Sequence, residues 1–242
     1  MTQDHGPHVP QRPKKIAIIE ADAPRPSLVA SFGSYGQIFT QWLQPALPEA
    51  QFSAFAVHAG AILPNPQDFD GYLVTGSRHG VYDELPWMAD LINHLQALRT
   101  ARIPVAGVCF GHQIMAKAYG GTVEKSADGW VLGRETYADE NQAGTEKSVF
   151  TIHQDQVVAL PNDVALVHSS KRVRYGRLEY TFPALSVQYH PEFRPEFYRQ
   201  LLQLLRNKTI SADCVDPVLE SITEETDSAL LAEDFAEFFR KH

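Results

Sequence analysis

The sequence predicts an α/β protein built on a mostly parallel sheet, and three observations carry that prediction. Short apolar runs alternate with amphipathic helical stretches through the first half of the chain. Two of those runs, residues 72–74 and 103–106, stop abruptly at glycine-bearing corners, as strands do where they turn over into a loop or helix. The 242 residues are 44% apolar and 21% charged, which supplies one sizeable core better than two small ones.

Taken in order, residues 15–19 read as a first strand, and the acidic, proline-rich stretch 20–26 as the loop at its C-terminal end. Ligand loops sit at that end of the strands in open α/β sheets. Residues 37–43 read as a helix, 52–57 as a second strand and 72–74 as a third, closed by Thr75-Gly76-Ser77. Met88, Leu91, Ile92, Leu95 and Leu98 share one helical face, so residues 86–100 form a crossover helix with Pro86 in its first turn. That helix leads to the strand 103–106, after which 114–119 read as a helix interior. Beyond Gly120-Gly121 the pattern changes to short strands at 132–137, 149–153, 164–167, 173–178 and 185–189. Helices follow at 194–206 and 227–240, the last with Leu230, Leu231, Phe235, Phe238 and Phe239 as its apolar side. The acidic residues from Asp213 onward read as a solvated helix face.

A net charge of −8 and the lack of a basic stripe argue against nucleic acid or an anionic membrane as a partner. Residues 1–13 form an expected disordered tail with no apolar signal segment, and nothing approaches the ~18 unbroken apolar residues of a membrane span. Residues 14–242 form one expected domain, with a helical extension over about 207–242. Two cysteines are too few for a disulfide framework and suit a reducing, cytoplasmic setting. The ten histidines include no metal-binding spacing, so no metal and no cofactor are expected.

The chemistry-bearing feature is Gly107-Val-Cys-Phe-Gly-His-Gln113. Cys109 stands between two glycines where a strand gives way to a helix, a corner that pushes a side chain into a cleft. The same corner sets the sulfur at a helix N-terminus, which favours thiolate chemistry. A cysteine nucleophile needs a base and a group to orient it. His190-Pro191-Glu192, directly after the strand 185–189, offers both: His190 as base and Glu192 as the group that fixes its tautomer. Gly76, Ser77 and the Phe110 N–H are candidate donors to an oxyanion. Each feature alone also fits a structural role, since free cysteine packs as a small hydrophobe and His-Pro-Glu and Thr-Gly-Ser are common in turns. Cys214 reads as an ordinary thiol in a connection, and a redox role for Cys109 is a further alternative.

These residues, in this order, resemble the class I (triad-type) glutamine amidotransferases, with their G-x-C-x-G-x-Q nucleophile motif and their H-P-E. The stretch 69–77 (Phe-Asp-Gly-Tyr-Leu-Val-Thr-Gly-Ser) resembles the oxyanion strand of that family. Gly129-Trp130 with Gly133, and His153, Asp155 and Val157 before Leu160-Pro161, resemble the stand-alone branch related to the amidotransferase domain of GMP synthetase and to plant γ-glutamyl peptidases. The resemblance runs from about residue 15 to 206 and implies a flavodoxin-like three-layer sandwich with a small antiparallel sheet. It implies that Cys109 attacks the side-chain amide of glutamine or a γ-glutamyl compound, giving a thioester. His190 then serves the departing ammonia or amine and the incoming water, and Glu192 holds His190. Gln113 matches a substrate-binding glutamine, and the segment around His153 the part that contacts the α-amino and carboxylate groups; His153 and Asp155 equally fit structural roles. His112 reads as a packing residue, and Trp130 with Tyr82-Asp83-Glu84 as the pocket mouth. No Walker-type phosphate loop is present, so an ammonia acceptor belongs to a separate synthetase polypeptide or does not exist.

Overall fold

The computed structural model describes residues 12–139, 144–222 and 226–242. The first part of the chain forms β1 (Lys15–Glu20), α1 (Pro26–Phe32), α2 (Tyr35–Leu43), β2 (Gln51–Ala56), β3 (Gly71–Val74), α3 (Pro86–Ala101), β4 (Val105–Val108) and α4 (Phe110–Ala118). Then come β5 (Thr122–Lys125), β6 (Val131–Tyr137), β7 (Lys147–His153), β8 (Asp155–Ala159), β9 (Val164–His168), β10 (Arg177–Tyr180) and β11 (Ala184–Val187). Three helices close the chain: α5 (Pro195–Leu205), α6 (Ala212–Ser221) and α7 (Ser228–Lys241).

Seven strands make the central sheet in the order β2-β1-β3-β4-β11-β10-β9. The first five of that order run parallel, and β10 and β9 add antiparallel at one edge. Two antiparallel ribbons, β5 with β8 and β6 with β7, stand outside it. Strand alternation sorts side chains to two faces. Ile16, Ile18, Leu73 and Val108 join one core with α2 and α7, while Ala17, Ile19, Tyr72 and Val74 join another with α3 and α4. The result is a three-layer α/β sandwich with a mostly parallel sheet, as expected. A third apolar cluster links α1, α5 and α6 to the β6–β7 ribbon through Leu28, Phe150, Phe197 and Val215.

Several elements differ from the sequence reading. The expected strand at 173–178 is displaced to β10, because Val173 to Gly176 form the turn before it. The strand at 103–106 instead spans 105–108, carrying Gly107 inside the sheet. Two short strands at the surface, β5 and β8, and the helices α1 and α6 carry no periodicity long enough to announce them. On α7 the buried face is Leu231, Ala232, Phe235, Ala236 and Phe239, whereas Leu230 is 53% exposed and Phe238 only partly covered. Burying each such Phe or Leu is worth about 1.5–3 kcal/mol, so packing rather than propensity holds α7. Trp42 of α2 packs edge-on against Phe235, and its indole N–H donates to the Ser228 carbonyl at 3.0 Å. The acidic C-terminal segment is less uniformly solvated than expected: Asp216 pairs with Arg206, Asp234 with Arg177, and Asp227 accepts from the Ser148 N–H. Residues 1–11 of the expected tail lie outside the described residues, and Arg12 pairs with Asp70.

Candidate active site

Cys109 follows β4 and caps α4 with φ 54° and ψ −103°, a backbone conformation that costs about 1–3 kcal/mol for a residue with a Cβ. The corner that enforces it is closely packed. A Cβ on Gly111 would lie 2.3 Å from the Val74 carbonyl oxygen of β3, and one on Gly107 would lie 2.5 Å from Met115 Sδ and 2.7 Å from Gly111 itself. Two bare backbones therefore let the helix start against the sheet, and the Cys109 N–H is tied to the Val187 carbonyl of β11 at 2.8 Å. The thiol is nearly enclosed, with Cys109 6% exposed.

The base arrives from the neighbouring strand. β11 runs parallel to β4 with Val187 beside Val108, so the chain beyond β11 passes the end of β4. His190 is anchored there by its N–H to the Phe150 carbonyl at 2.9 Å, and its ring stacks on Phe193 at 4.0 Å. His190 Nδ1 meets Glu192 Oε1 at 2.8 Å, both side chains being buried. That leaves Nε2 for the Cys109 side. Burial opposes the imidazolium, but charge attraction and hydrogen bonding from Glu192 and from the Cys109 sulfur together outweigh it and raise the His190 pKa to about 10. Gly76 completes the cluster: a Cβ there would sit 3.1 Å from His190 Cε1 and 3.7 Å from Cys109 Cβ. Cys109, His190, Glu192 and Gly76 thus converge from the ends of three adjacent strands.

Around this centre the other sequence candidates divide. Phe110 is the first residue of α4, so its N–H is one of the donors a helix start leaves free. Ser77 sits in the same corner as Gly76, its hydroxyl accepting from the His79 N–H at 3.2 Å. Gln113 is buried, and its amide nitrogen donates to the Asp155 carbonyl at 2.9 Å and to Gln188 Oε1 at 3.1 Å. His153 Nδ1 also meets that carbonyl, at 3.1 Å, leaving Nε2 without a partner. Burial lowers the His153 pKa to about 3, which keeps the ring neutral. His112 is likewise buried and lowered to about 3, with Nδ1 2.9 Å from the Ser186 hydroxyl, and so packs rather than titrates.

Residues 77–84 follow the Gly76 corner and are tied down at both ends. At one end the Arg78 guanidinium pairs with Asp22 at 2.6 Å and donates to the Ala23 carbonyl at 2.7 Å. At the other the Tyr82 hydroxyl donates to Asp155 Oδ1 at 3.0 Å, and Lys117 Nζ holds the Val81 carbonyl at 2.7 Å. Trp130 packs partly buried against the Phe150 cluster. Sequence reading missed Asp22 and Gln188. For Asp22 the signal was present, in an acidic loop at the C-terminal end of a parallel strand. Among the described residues no group of three or more His, Cys, Asp or Glu side chains is arranged to hold a metal ion, and no helix is long and apolar enough to cross a membrane.

The model of the glutamine amidotransferase class-I family matches residues 35–211, most of the chain. The chain belongs to that family. Within the class-I amidotransferases it is 26% identical over 218 residues to γ-glutamyl peptidase 5 of Arabidopsis thaliana, covering 84% of this chain and 86% of the relative. It is 29% identical over 187 residues to the glutamine-hydrolysing GMP synthase of Macrococcus caseolyticus, covering 74% of this chain but 34% of that protein. Its fold is similar to a glutamine amidotransferase from Thermotoga maritima, with TM-score 0.73, 18% identity, and coverage of 96% of this chain and 98% of that one. The family model takes in β3, β4, α4 and β11, the elements that carry Gly76, Cys109 and His190.

Proposed function

We propose that this class-I amidotransferase hydrolyses the γ-amide of glutamine or of a γ-glutamyl compound, with Cys109 as nucleophile, His190 as acid and base, and Glu192 as the residue that orients it. Cys109 passes its thiol proton to His190 Nε2 as Sγ adds to the amide carbon, while the oxyanion turns toward the Phe110 N–H and the Gly76-Ser77 corner. The C–N bond then breaks, with His190 Nε2 giving its proton to the departing nitrogen and leaving a γ-glutamyl thioester. Water adds to the thioester, its proton passing to His190, and glutamate and the free thiol are released. We assign recognition of the α-amino and carboxylate ends of the γ-glutamyl group to Gln113 and His153, with Gln113 acting by fixing the Asp155 carbonyl.

The observation that supports this reading most is the strained Cys109 corner set beside a buried His190–Glu192 pair at 2.8 Å. A sensor thiol needs no oriented base. The reading treats residues 14–242 as one amidotransferase domain requiring no cofactor. The test is direct: purified protein incubated with glutamine and with γ-glutamyl amides should release ammonia or amine, and Cys109→Ala should not. A second reading, a glutaminase subunit that works with a separate synthetase, draws on the 34% share of GMP synthase that the chain matches. Full activity of the isolated chain, with no partner retained on purification, would decide against it.

A further inference from the structure

Resting on the proposed triad, we infer that Ser228 of α7 is a positioning residue for the His190–Glu192 pair, so that a helix outside the family match completes the candidate active site. The match to the family model covers residues 35–211, whereas α7 begins at Ser228. One hydrogen bond joins that helix to the pair. The Ser228 hydroxyl donates to the Pro191 carbonyl at 2.5 Å, at the residue between the base and the carboxylate that holds it.

The local backbone explains why that carbonyl matters. The Phe193 N–H closes on the His190 carbonyl at 3.4 Å, a long bond, so residues 190–193 form a β-turn with Pro191 and Glu192 at its centre. Proline presets the first central residue, but the turn's own bond leaves the central peptide, between Pro191 and Glu192, unheld. Rotation of that peptide swings the Glu192 Cα–Cβ bond and draws the carboxylate off His190 Nδ1, which it meets at 2.8 Å. Pro191 and Glu192 are buried, and a buried carbonyl without a donor is costly. Ser228 supplies the donor and thereby fixes the peptide.

Ser228 is itself held. Its neighbour Asp227 donates its N–H to the Ser148 carbonyl at 2.8 Å and accepts from the Ser148 N–H at 2.7 Å. Two residues along β7 from Ser148, the Phe150 carbonyl takes the His190 N–H. Phe150, His190, Pro191, Ser228, Asp227 and Ser148 therefore close a ring of main-chain and side-chain contacts. With the Ser228 carbonyl also tied to Trp42, the hydroxyl has a fixed origin and holds the turn rather than following it.

The experiment sets Ser228→Ala and Ser228→Thr against Phe239→Leu, which loosens the other end of α7, where Phe239 is buried against Gly71. Two properties are read: hydrolysis of glutamine and γ-glutamyl amides, and the downfield proton resonance of the His190 Nδ1–Glu192 hydrogen bond. Ser228→Ala should lower kcat about tenfold with KM within about twofold of wild type, and should shift the resonance. Ser228→Thr, which keeps the hydroxyl, should stay close to wild type in both. Phe239→Leu should lower the melting temperature while leaving kcat of the folded protein and the resonance where they are. An unmoved kcat and resonance in Ser228→Ala, or the same losses in Phe239→Leu, overturns the inference while hydrolysis itself stands. If wild type cleaves none of the amides, the hydrolase reading falls, and the resonance in Ser228→Ala alone decides whether Ser228 positions the pair.

Discussion

Both cysteines of this chain stand at helix starts, yet their surroundings have little else in common. Cys214 lies in the first turn of α6, exposed, with the Ser211 hydroxyl 3.3 Å from its sulfur. Cys109 caps α4 with a positive φ, almost enclosed, beside an imidazole held by a carboxylate. The helix dipole is common to both and so cannot distinguish them. What differs is the strained corner and the oriented base, and these are what make a thiol a candidate nucleophile. Exposure runs the opposite way: the thiol open to solvent is the one without a base.

The comparison can be broken most forcefully by exchanging the thiols. Cys109→Ala should lower kcat/KM by about 10⁴-fold or more, the scale seen when a nucleophile is removed, while Cys214→Ala should stay close to wild type. An equal loss from both would erase the distinction. His190→Gln should cost roughly 10³–10⁴-fold and Glu192→Gln roughly 10²–10⁴-fold, with thermal melts separating lost chemistry from lost folding. The corner itself is tested by Gly111→Ala, whose added methyl has no space beside the Val74 carbonyl. It should destabilise the fold by about 3 kcal/mol in denaturant melts, and an unchanged midpoint would contradict the packing argument.

The pH dependence sharpens the comparison further. His190 is raised to about 10 from an ordinary value near 6.5, so its pairing stabilises the fold fully below about 6.5 and loses that contribution as pH climbs toward 10. The stability gap between wild type and Glu192→Gln should therefore be wide at pH 6 and narrow by pH 10. Removing the carboxylate also lowers the His190 pKa, so the alkaline limb of kcat/KM should move down in that variant; a stationary limb would show that Glu192 does not set the base. The smallest effect belongs to the loop after Gly76. Tyr82→Phe removes one exposed hydrogen bond to Asp155 and should change KM by only a few-fold.

Much of this arrangement was legible in the sequence. The strands that lead to Gly76, Cys109 and His190 are mostly apolar and wholly buried, and the crossover helix α3 shows a clear 3.6-residue period. The glycines that permit the corner are spelled out beside Cys109. Other features were illegible because they rest on tertiary pairing rather than on local pattern. β5 and β8 are short and pair only with each other, and Gln188 gains its role only through a side chain from α4. The Asp22–Arg78 pair joins two loops far apart in sequence, and no spacing rule links them.

The most direct test of the central claim is labelling with a glutamine-mimicking diazoketone, followed by alkylation with iodoacetamide and peptide mass spectrometry. The account predicts the diazoketone on Cys109 alone, lost or strongly slowed in His190→Ala, and the carbamidomethyl group on Cys214. Diazoketone on Cys214, or on neither cysteine of folded protein, would contradict it.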